Sequence, residues 1–450
     1  MVLMAFLTAA WHQLQWDPTS ETSSPMEVLS KGVIDAAAGS VDLAIGLIGV
    51  MALFLGLMKV AEAGGLLVIL AKLIRPLMVR LFPDVPPNHP AMGAMVLNMS
   101  ANGLGLGNAA TPFGIRAMQE LDKLNPHKGT ATNAMALFLA INTSGVTLLP
   151  TGIIALRAAA GSEDPAGILP TTLFATLCST AAAIMAAKLY CRFFPVNGGV
   201  PADFVPPTNH SEGQGNATTT ASPPDAKSAP PVNPSEQPAN TAEEERLEDH
   251  GSYPGWVSAL ALLTLLSLVP ITLIWGRTIA PWIIPTLIIS FLTFGLLRGV
   301  RIYEVFVEGA KDGFQVAIKI IPYLVAILVA VGMLRASGAL EWLVRSLSVI
   351  TAPLGLPAEA LPMALLRPLS GSGAYGVVAS IINDPDIGPD SYVGYLVSTL
   401  QGSTETTFYV LAVYFGAIQV RRIRHALAAA LTADIVAVIA AVAICSWLFL

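Results

Sequence analysis

Long apolar runs separated by short polar interruptions dominate this chain. A bilayer core about 30 Å thick needs roughly 20 mainly apolar residues per helix, and several runs approach or reach that length with few internal charges. The pattern therefore predicts membrane-crossing helices. They are expected at 41–58, 131–149 and 169–193 in the first half, and at 256–275, 279–297, 317–334, 392–415 and 427–450 in the second.

Two stretches between these runs, 64–121 and 338–382, contain shorter apolar pieces broken by Gly and Pro. A helix that breaks at bilayer depth leaves backbone amides and carbonyls unpaired, and such groups are tolerated only beside protein, water, an ion or a solute. Broken segments at matching places in two halves are typical of the central site of a transporter. The pattern therefore predicts a cavity formed by broken or re-entrant helices.

The two halves also resemble each other in order. Gly32 and Asp35 match Gly309 and Asp312, and the later matches follow in the same sequence over about 110 residues. These later pairs are Gly56 with Gly332, Gly64 with Gly338, Pro76 with Pro353, the polar motif at 98–102 with 367–372, and the polar cluster at 142–147 with 401–407. We infer an internal duplication.

Composition supports a membrane protein and excludes a soluble enzyme. The chain is 54% hydrophobic and 12% charged, against about 25% charged residues in soluble domains. Its mean hydropathy is +0.65. The net charge of −6 indicates no nucleic-acid partner. The histidines and the three cysteines lack metal-ligand spacing, so neither a metal site nor a cofactor is predicted.

One segment departs from this composition. Residues 197–252 are rich in Pro, Ser, Thr and Glu, with Lys227 and Arg246 as bases, and we expect a disordered acidic linker there. The expected organisation is an interfacial N-terminal segment at 1–30, a first membrane domain at 31–196, this linker, and a second membrane domain at 253–450. The basic cluster at 421–424 is expected on the cytoplasmic side by the positive-inside rule.

The first half carries a neutral polar motif, Asn98-Met-Ser-Ala-Asn-Gly-Leu-Gly-Leu-Gly-Asn-Ala-Ala-Thr-Pro-Phe-Gly114. Asn102 or Asn108 is expected to cap a half-helix, with Pro112 near its first turn. Amides and a helix N-terminus suit hydroxyl, amide or carboxylate groups of a solute. Alternatively, the polar residues only satisfy the broken backbone and the glycines serve packing. The candidate binding residues are Asn98, Ser100, Asn102, Asn108 and Thr111, with Asn142 and Ser144 from the second cluster.

The second half adds charge to its two polar clusters. Ionised groups at bilayer depth are unfavourable unless paired, so Arg367 and Glu405 are expected to face each other, other polar groups or water. Glu405 would then be a coupling carboxylate for a proton or cation, and Arg367 its partner or an anchor for an anionic solute. The alternative is a permanent structural ion pair. The candidate binding residues are Arg367, Ser370, Ser372, Gln401, Ser403, Thr404, Glu405 and Thr406.

These motifs resemble those of a known family. The 98–114 motif resembles the signature of spore maturation protein A, and the segments at 367–372 and 401–416 resemble that of spore maturation protein B. The chain is similar to a fusion of the two, over about 31–192 and 255–450. Both belong to the nucleoside recognition, or Gate, domains found also in concentrative nucleoside transporters and the ferrous iron permease. The resemblance implies an all-α polytopic membrane protein with two transporter-like Gate repeats, expected to be inverted.

The expected function is a secondary transporter of a small polar solute, nucleoside-like or anionic, with a proton or sodium ion as coupling partner. The alternatives are a non-transporting membrane scaffold of envelope or spore maturation and, from a third class, a membrane-embedded enzyme. We expect no enzymatic activity. The resemblance places the protein in the bacterial cytoplasmic membrane as a multi-pass protein, surrounded by lipid, with a homo-oligomer left open.

Overall fold

A computed structural model describes residues 2–17, 23–105, 107–145, 147–195, 253–351 and 355–449. Within several helices the side chains of some residues, Asn108 among them, lie outside this description. The linker predicted at 197–252 lies outside the described residues as well.

The described residues form helices joined by turns and loops, with a short bridge between Thr130 and Arg422. The first half contains α1 (Val2–Gln15), α2 (Pro25–Ala63), α3 (Leu66–Leu81), α4 (Pro90–Gly103), α5 (Gly107–Lys123), α6 (Asn133–Ser144), α7 (Thr151–Ala159) and α8 (Leu169–Tyr190). The second contains α9 (Gly255–Leu297), α10 (Ile302–Ala336), α11 (Ala339–Thr351), α12 (Leu361–Leu366), α13 (Gly371–Ile382), α14 (Tyr392–Ser403), α15 (Thr407–Ala417) and α16 (Ala426–Phe449). The order α2–α8 is therefore repeated as α10–α16.

Among the described residues, α8 and α16 are each long and apolar enough to cross a membrane. A third candidate is the bent pair Ile48–Ala63 and Leu66–Leu81, whose two parts meet at 70°. A polar cluster ends the expected helix at 131–149 early, because α6 stops at Ser144, and another divides the expected helix at 392–415 into α14 and α15. The fold is thus an all-helical membrane fold with broken helices.

One expectation about the second half is wrong. The runs at 256–275 and 279–297 are not two helices, because α9 continues over 43 residues from Gly255 to Leu297. A lone glycine lowers helix stability by only about 1 kcal/mol, so Gly276 does not break the helix.

Matching helices of the two halves pack along each other in opposite directions. A β-carbon built on Gly32 would lie 3.0 Å from Ala336 Cβ, and one built on Gly313 would lie 2.7 Å from Ala52 Cα. Residue numbers therefore rise along α2 as they fall along α10. An inverted-topology repeat requires this antiparallel relation between equivalent helices.

The pair α8 and α16 shows the same relation. Ser179 on α8 donates to the Ala433 carbonyl at 3.0 Å, whereas Phe194, just after α8, accepts a hydrogen bond from Arg424, just before α16. Small residues on both helices allow this close approach. The buried alanines of α16 are Ala426, Ala429, Ala430, Ala433, Ala437, Ala440 and Ala441.

Candidate functional site

The two helix breaks of the first half lie against each other. Gly103 ends α4, and its carbonyl accepts a hydrogen bond from the Leu148 amide at 2.9 Å in the break between α6 and α7. Gly105 has φ +77°, and a β-carbon there would collide with the Leu149 carbonyl. Glycine is required at this position both by conformation and by space.

The two breaks of the second half are joined in the same way. The Phe408 amide, at the start of α15, donates to the Pro368 carbonyl at 3.0 Å, between α12 and α13. Ser370 caps α13, because its hydroxyl accepts a hydrogen bond from the Gly373 amide at 3.0 Å. The second half therefore reproduces the paired breaks of the first.

A backbone hydrogen bond then connects the breaks of the two halves. The Glu405 amide donates to the Thr143 carbonyl at 2.9 Å. A β-carbon on Gly145, which has φ +48°, would lie 3.3 Å from Glu405 Cγ. The four interruptions therefore form one contiguous region inside the bundle.

A neutral amide cluster, made of Asn98, Asn102, Asn142 and Tyr414, occupies one side of this region. Asn98 Nδ2 donates to the Ala110 carbonyl at 2.7 Å and contacts the Tyr414 hydroxyl at 3.1 Å. Asn102 Nδ2 donates to Asn142 Oδ1 at 2.9 Å, and the Tyr414 hydroxyl donates to the same oxygen at 3.4 Å. Asn98 Oδ1 is buried without a partner among the described residues. The cluster therefore retains a free acceptor.

A charged cluster, made of Arg367, Glu405 and Thr406, lies at the second-half breaks. Arg367 Nη1 donates to Thr406 Oγ1 at 3.0 Å, and Nη2 bonds the Thr404 carbonyl. Nη2 also lies 3.7 Å from Glu405 Oε2. The Arg367 side chain is 8% exposed and that of Glu405 is 42% exposed. The pair is therefore buried at the guanidinium and open at the carboxylate.

A small cavity adjoins the charged cluster. Its wall includes Arg367, Ser403, Thr404 and Asp434. The enclosed space is about the size of one water molecule. The described conformation therefore has no room beside Arg367 for a larger solute.

Several predicted site residues bond to their own helices or to nearby caps. Ser100 donates to the Val96 carbonyl at 2.7 Å, Ser144 to Ile141 at 2.8 Å, and Ser403 to Leu400 at 3.4 Å. Ser144 also lies 3.0 Å from the Thr180 hydroxyl. These hydroxyls are occupied locally, as serine in membrane helices often is.

The remaining predicted residues have mixed positions. Gln401 is buried, and its Oε1 has no partner among the described atoms. Ser372 and Thr111 are half-buried on α13 and α5. Asn108 lies in the first turn of α5, with its side chain outside the description. The prediction that Asn102 caps a half-helix is wrong, because Asn102 lies in the last turn of α4. Pro112 lies inside α5 and not in its first turn, because the break falls earlier, at Gly105.

Arg157 was not singled out by sequence reasoning, yet its side chain is fully buried. It pairs with Asp390 at 2.8 Å, donates to the Pro389 carbonyl at 2.6 Å, and lies 4.2 Å from the centre of the Tyr395 ring. It thus ties the end of α7 to the loop before α14. The position of Arg157 directly before a polar loop was a signal that the sequence offered. The sequence could not indicate its partner, because Asp390 is 233 residues away.

The equivalent loop contact in the other half lies before α6. The Arg422 carbonyl accepts a hydrogen bond from the Ala131 amide at 2.9 Å, and Arg424 donates to the Ala131 carbonyl at 3.0 Å. The neighbouring His425 is fully buried. Burial, and then the charge of Arg424, lower the pKa of His425 to about 4.

Comparisons with known proteins agree with this two-part architecture. The model of the Gate family, described as "Nucleoside recognition", matches residues 44–189 and 317–421. Spore maturation protein B of Bacillus subtilis (strain 168) is 45% identical over 166 residues, which cover 37% of this chain and 92% of that protein. Spore maturation protein A of the same organism is 44% identical over 165 residues, covering 37% of this chain and 84% of that protein.

A more distant relative is the inner membrane protein YjiG of Escherichia coli (strain K12). It is 33% identical over 82 residues, which cover 18% of this chain and 54% of that protein. No solved structure gave a significant match.

Proposed function

This chain belongs to the nucleoside recognition (Gate) family of membrane proteins, and from that premise we propose that it is a secondary transporter with its solute site at the four helix breaks. The observation that carries this proposal is the convergence of the breaks, joined by the hydrogen bond from the Glu405 amide to the Thr143 carbonyl. Matching broken helices from inverted repeats form the solute sites of many secondary transporters.

The amide cluster supports a neutral polar solute. Asparagine side chains both donate and accept hydrogen bonds, and the free Oδ1 of Asn98 offers an acceptor to a solute donor. These groups suit the base and sugar edges of a nucleoside, in agreement with the description of the family. The solute would contact Asn98, Asn102 and Asn142 once the bundle opens.

The charged cluster supports a coupling role. Arg367 holds the second-half breaks through the Thr404 carbonyl and Thr406, and Glu405 is accessible enough to exchange a proton or a cation. We assign Glu405 as the coupling or solute-orienting carboxylate and Arg367 as its electrostatic partner. Release of Arg367 from both the Thr404 carbonyl and Glu405 would loosen the breaks and admit the solute.

The proposed location is the bacterial cytoplasmic membrane, with the chain crossing it several times. The name of the inner membrane relative supports a location in the membrane. The basic residues at 421–424 support a cytoplasmic position for the loop before α16. The absence of enzymatic activity stays a prediction.

Uptake of labelled uridine, adenosine and guanosine by proteoliposomes tests the proposed function. We expect saturable uptake that unlabelled nucleoside competes. Asn102→Ala should raise the half-saturating concentration about tenfold, the equivalent of one hydrogen bond of roughly 1.4 kcal/mol. Asn383→Ala is the matched control, because Asn383 caps α13 away from the breaks.

Uptake equal to that of empty liposomes for all three nucleosides would overturn nucleoside transport. A second function is favoured by the names of the two Bacillus relatives, both spore maturation proteins. A protein without flux that still associates with envelope proteins would support this non-transporting scaffold.

A further inference from the structure

Asp434 is a buried carboxylate with an incomplete set of hydrogen bonds. It lies on α16 and is 7% exposed. Its Oδ2 accepts a hydrogen bond from Thr407 Oγ1 at 2.7 Å, whereas Oδ1 is buried with no partner among the described residues. An ionised carboxylate in such a place is unfavourable, because one hydroxyl replaces little of its lost hydration.

Asp434 shares the small cavity with a guanidinium that is already engaged. Arg367 and Asp434 both line it, but Arg367 directs Nη1 to Thr406 and Nη2 to Thr404 and Glu405. Arg367 Nε is buried without a partner among the described atoms. The guanidinium is therefore engaged by Thr406, Thr404 and Glu405, although it lines the same cavity as Asp434.

In the first half, a neutral side chain satisfies the backbone at the break between α6 and α7. There, Thr176 on α8 donates to the Ser144 carbonyl at 3.1 Å and also bonds the Gly145 carbonyl. A neutral hydroxyl is therefore sufficient to satisfy a break of this kind. The carboxylate at the corresponding place in the second half needs another explanation.

We propose that Asp434 is a proton-binding site that controls the partner of Arg367, a role in transport that rests on the proposed function. With a proton on Oδ1, Asp434 is neutral and Arg367 remains with Glu405. When that proton leaves to water in the cavity, Asp434 becomes anionic and draws Arg367 from the Thr404 carbonyl and Glu405. The proton thereby controls whether the second-half breaks are held closed.

A proton suits this site better than a metal cation. A cation at Asp434 would share the cavity with the positive charge of Arg367, and a single carboxylate seldom holds a sodium ion in such company. Glu405 reaches the site only through Arg367.

The other titratable groups on the helices around α16 are weakly acidic thiols and phenols, together with one lysine. The helices packed against α16 are α6, α8, α14 and α15, and α6 has no titratable residue. The titratable residues on the other three are Cys178, Lys188, Tyr190, Tyr392, Tyr395, Tyr409 and Tyr414. Of the residues that line the cavity, Arg367 and Asp434 are the charged ones.

Infrared difference spectroscopy of the full chain in lipid, over a pH series, tests this proposal without any solute. A protonated buried aspartic acid gives a carbonyl band that disappears as the proton leaves, and isotope-labelled aspartate assigns it. We expect this band in the wild type and its loss in Asp434→Asn. Asp386→Asn, the same change at an exposed position of the α13–α14 loop, should leave the band unchanged.

Glu405→Gln adds a directional readout. Because Arg367 would then lose its competing carboxylate and pair with Asp434, the band should titrate at a lower pH than in the wild type. A band missing from the wild type, or retained in Asp434→Asn, would overturn the proton site. An unshifted titration in Glu405→Gln would overturn the exchange of partners.

Nucleoside uptake measured on the same preparations separates this inference from the proposed function. With the band present and uptake pH-dependent, Asp434→Asn should bring the ratio of uptake at mildly acidic to mildly alkaline pH to about one, because its site no longer titrates. A titrating Asp434 in a protein with no uptake would leave the proton site standing and overturn transport. Uptake with unchanged pH dependence in Asp434→Asn would overturn the coupling role.

Discussion

Arg367 and Glu405 form a contact, but their surroundings differ. The guanidinium is buried and holds the Thr404 carbonyl and Thr406. The Glu405 side chain is 42% exposed, and its Oε2 lies 3.7 Å from Arg367 Nη2. Because the carboxylate is open and the two groups lie 3.7 Å apart, their contact contributes between zero and about 1 kcal/mol to stability. A buried carbonyl that loses its donor is more unfavourable.

Glu405→Gln and Arg367→Gln should therefore differ in their effects on stability. We expect Glu405→Gln to change the free energy of unfolding by less than about 1 kcal/mol and to remove pH- or cation-dependent uptake. Arg367→Gln should destabilise the protein by roughly 1–3 kcal/mol, because the Thr404 carbonyl loses its donor. Thermal unfolding and proteoliposome uptake on the same samples check both. A stable Glu405→Gln protein whose uptake depends on pH and cations as the wild type does would remove Glu405 from the mechanism.

His425 should make the fold sensitive to acid. Its pKa falls from 6.5 to about 4 in the folded protein, so the unfolded chain binds the extra proton between these values. The stability that neutral His425 contributes is complete above about pH 6.5 and is lost as pH falls towards about 4. Thermal unfolding at a series of pH values should show a smaller acid-induced loss in His425→Gln. His12→Gln, at an exposed position of α1, should behave as the wild type; equal losses in all three would contradict the assignment.

At the scale of helices, local pattern predicts the breaks better than the spans. The clusters starting at Asn142 and Gln401 marked the ends of α6 and α14, because polar and glycine residues disfavour helix locally. Hydropathy alone could not distinguish one long helix from two at 256–297, because the number of spans depends on packing and on the bilayer. The Gly matches between halves predicted a repeat but not which helices would pack together.

Gly309 should be essential for the packing of α2 on α10. A β-carbon there would lie 2.7 Å from the Leu55 carbonyl and 3.0 Å from Gly56 Cα. Backbone cannot move aside as a flexible side chain can, so Gly309→Ala should destabilise the protein by about 1–3 kcal/mol. Gly49→Ala is the matched control, because nothing lies within 4 Å of its β-carbon and alanine favours helix by about 1 kcal/mol. A melting temperature for Gly309→Ala equal to that of Gly49→Ala would contradict close helix packing at this point.

At the scale of the whole molecule, the site depends on contacts that no local pattern contains. Asn98 meets Tyr414 across 316 residues, and Arg157 meets Asp390 across 233. The sequence predicted the polar residues of each half and their order. It could not predict the tyrosine in the amide cluster, because Tyr414 lies in an apolar run and becomes a site residue only through the antiparallel arrangement of the halves.

This arrangement predicts that the two halves assemble when they are made as separate chains. The helix pairs α2–α10 and α8–α16 cross between the halves, and the amide cluster requires both. Relatives of the two kinds occur as separate proteins, 92% and 84% of which this chain covers. Residues 1–196 and 253–450, co-expressed with a tag on the first alone, should therefore co-purify from membranes.

The split protein also measures how much the linker contributes. A tether acts mainly by raising effective concentration, to about the millimolar range, so separation should weaken assembly without abolishing it at high expression. Gly309→Ala in the second chain should reduce the recovered fraction, whereas Gly49→Ala in the first should not, because Gly309 has backbone of the other half against it and Gly49 has nothing within 4 Å. Two halves that insert separately but never co-purify would show that 197–252 does more than connect them.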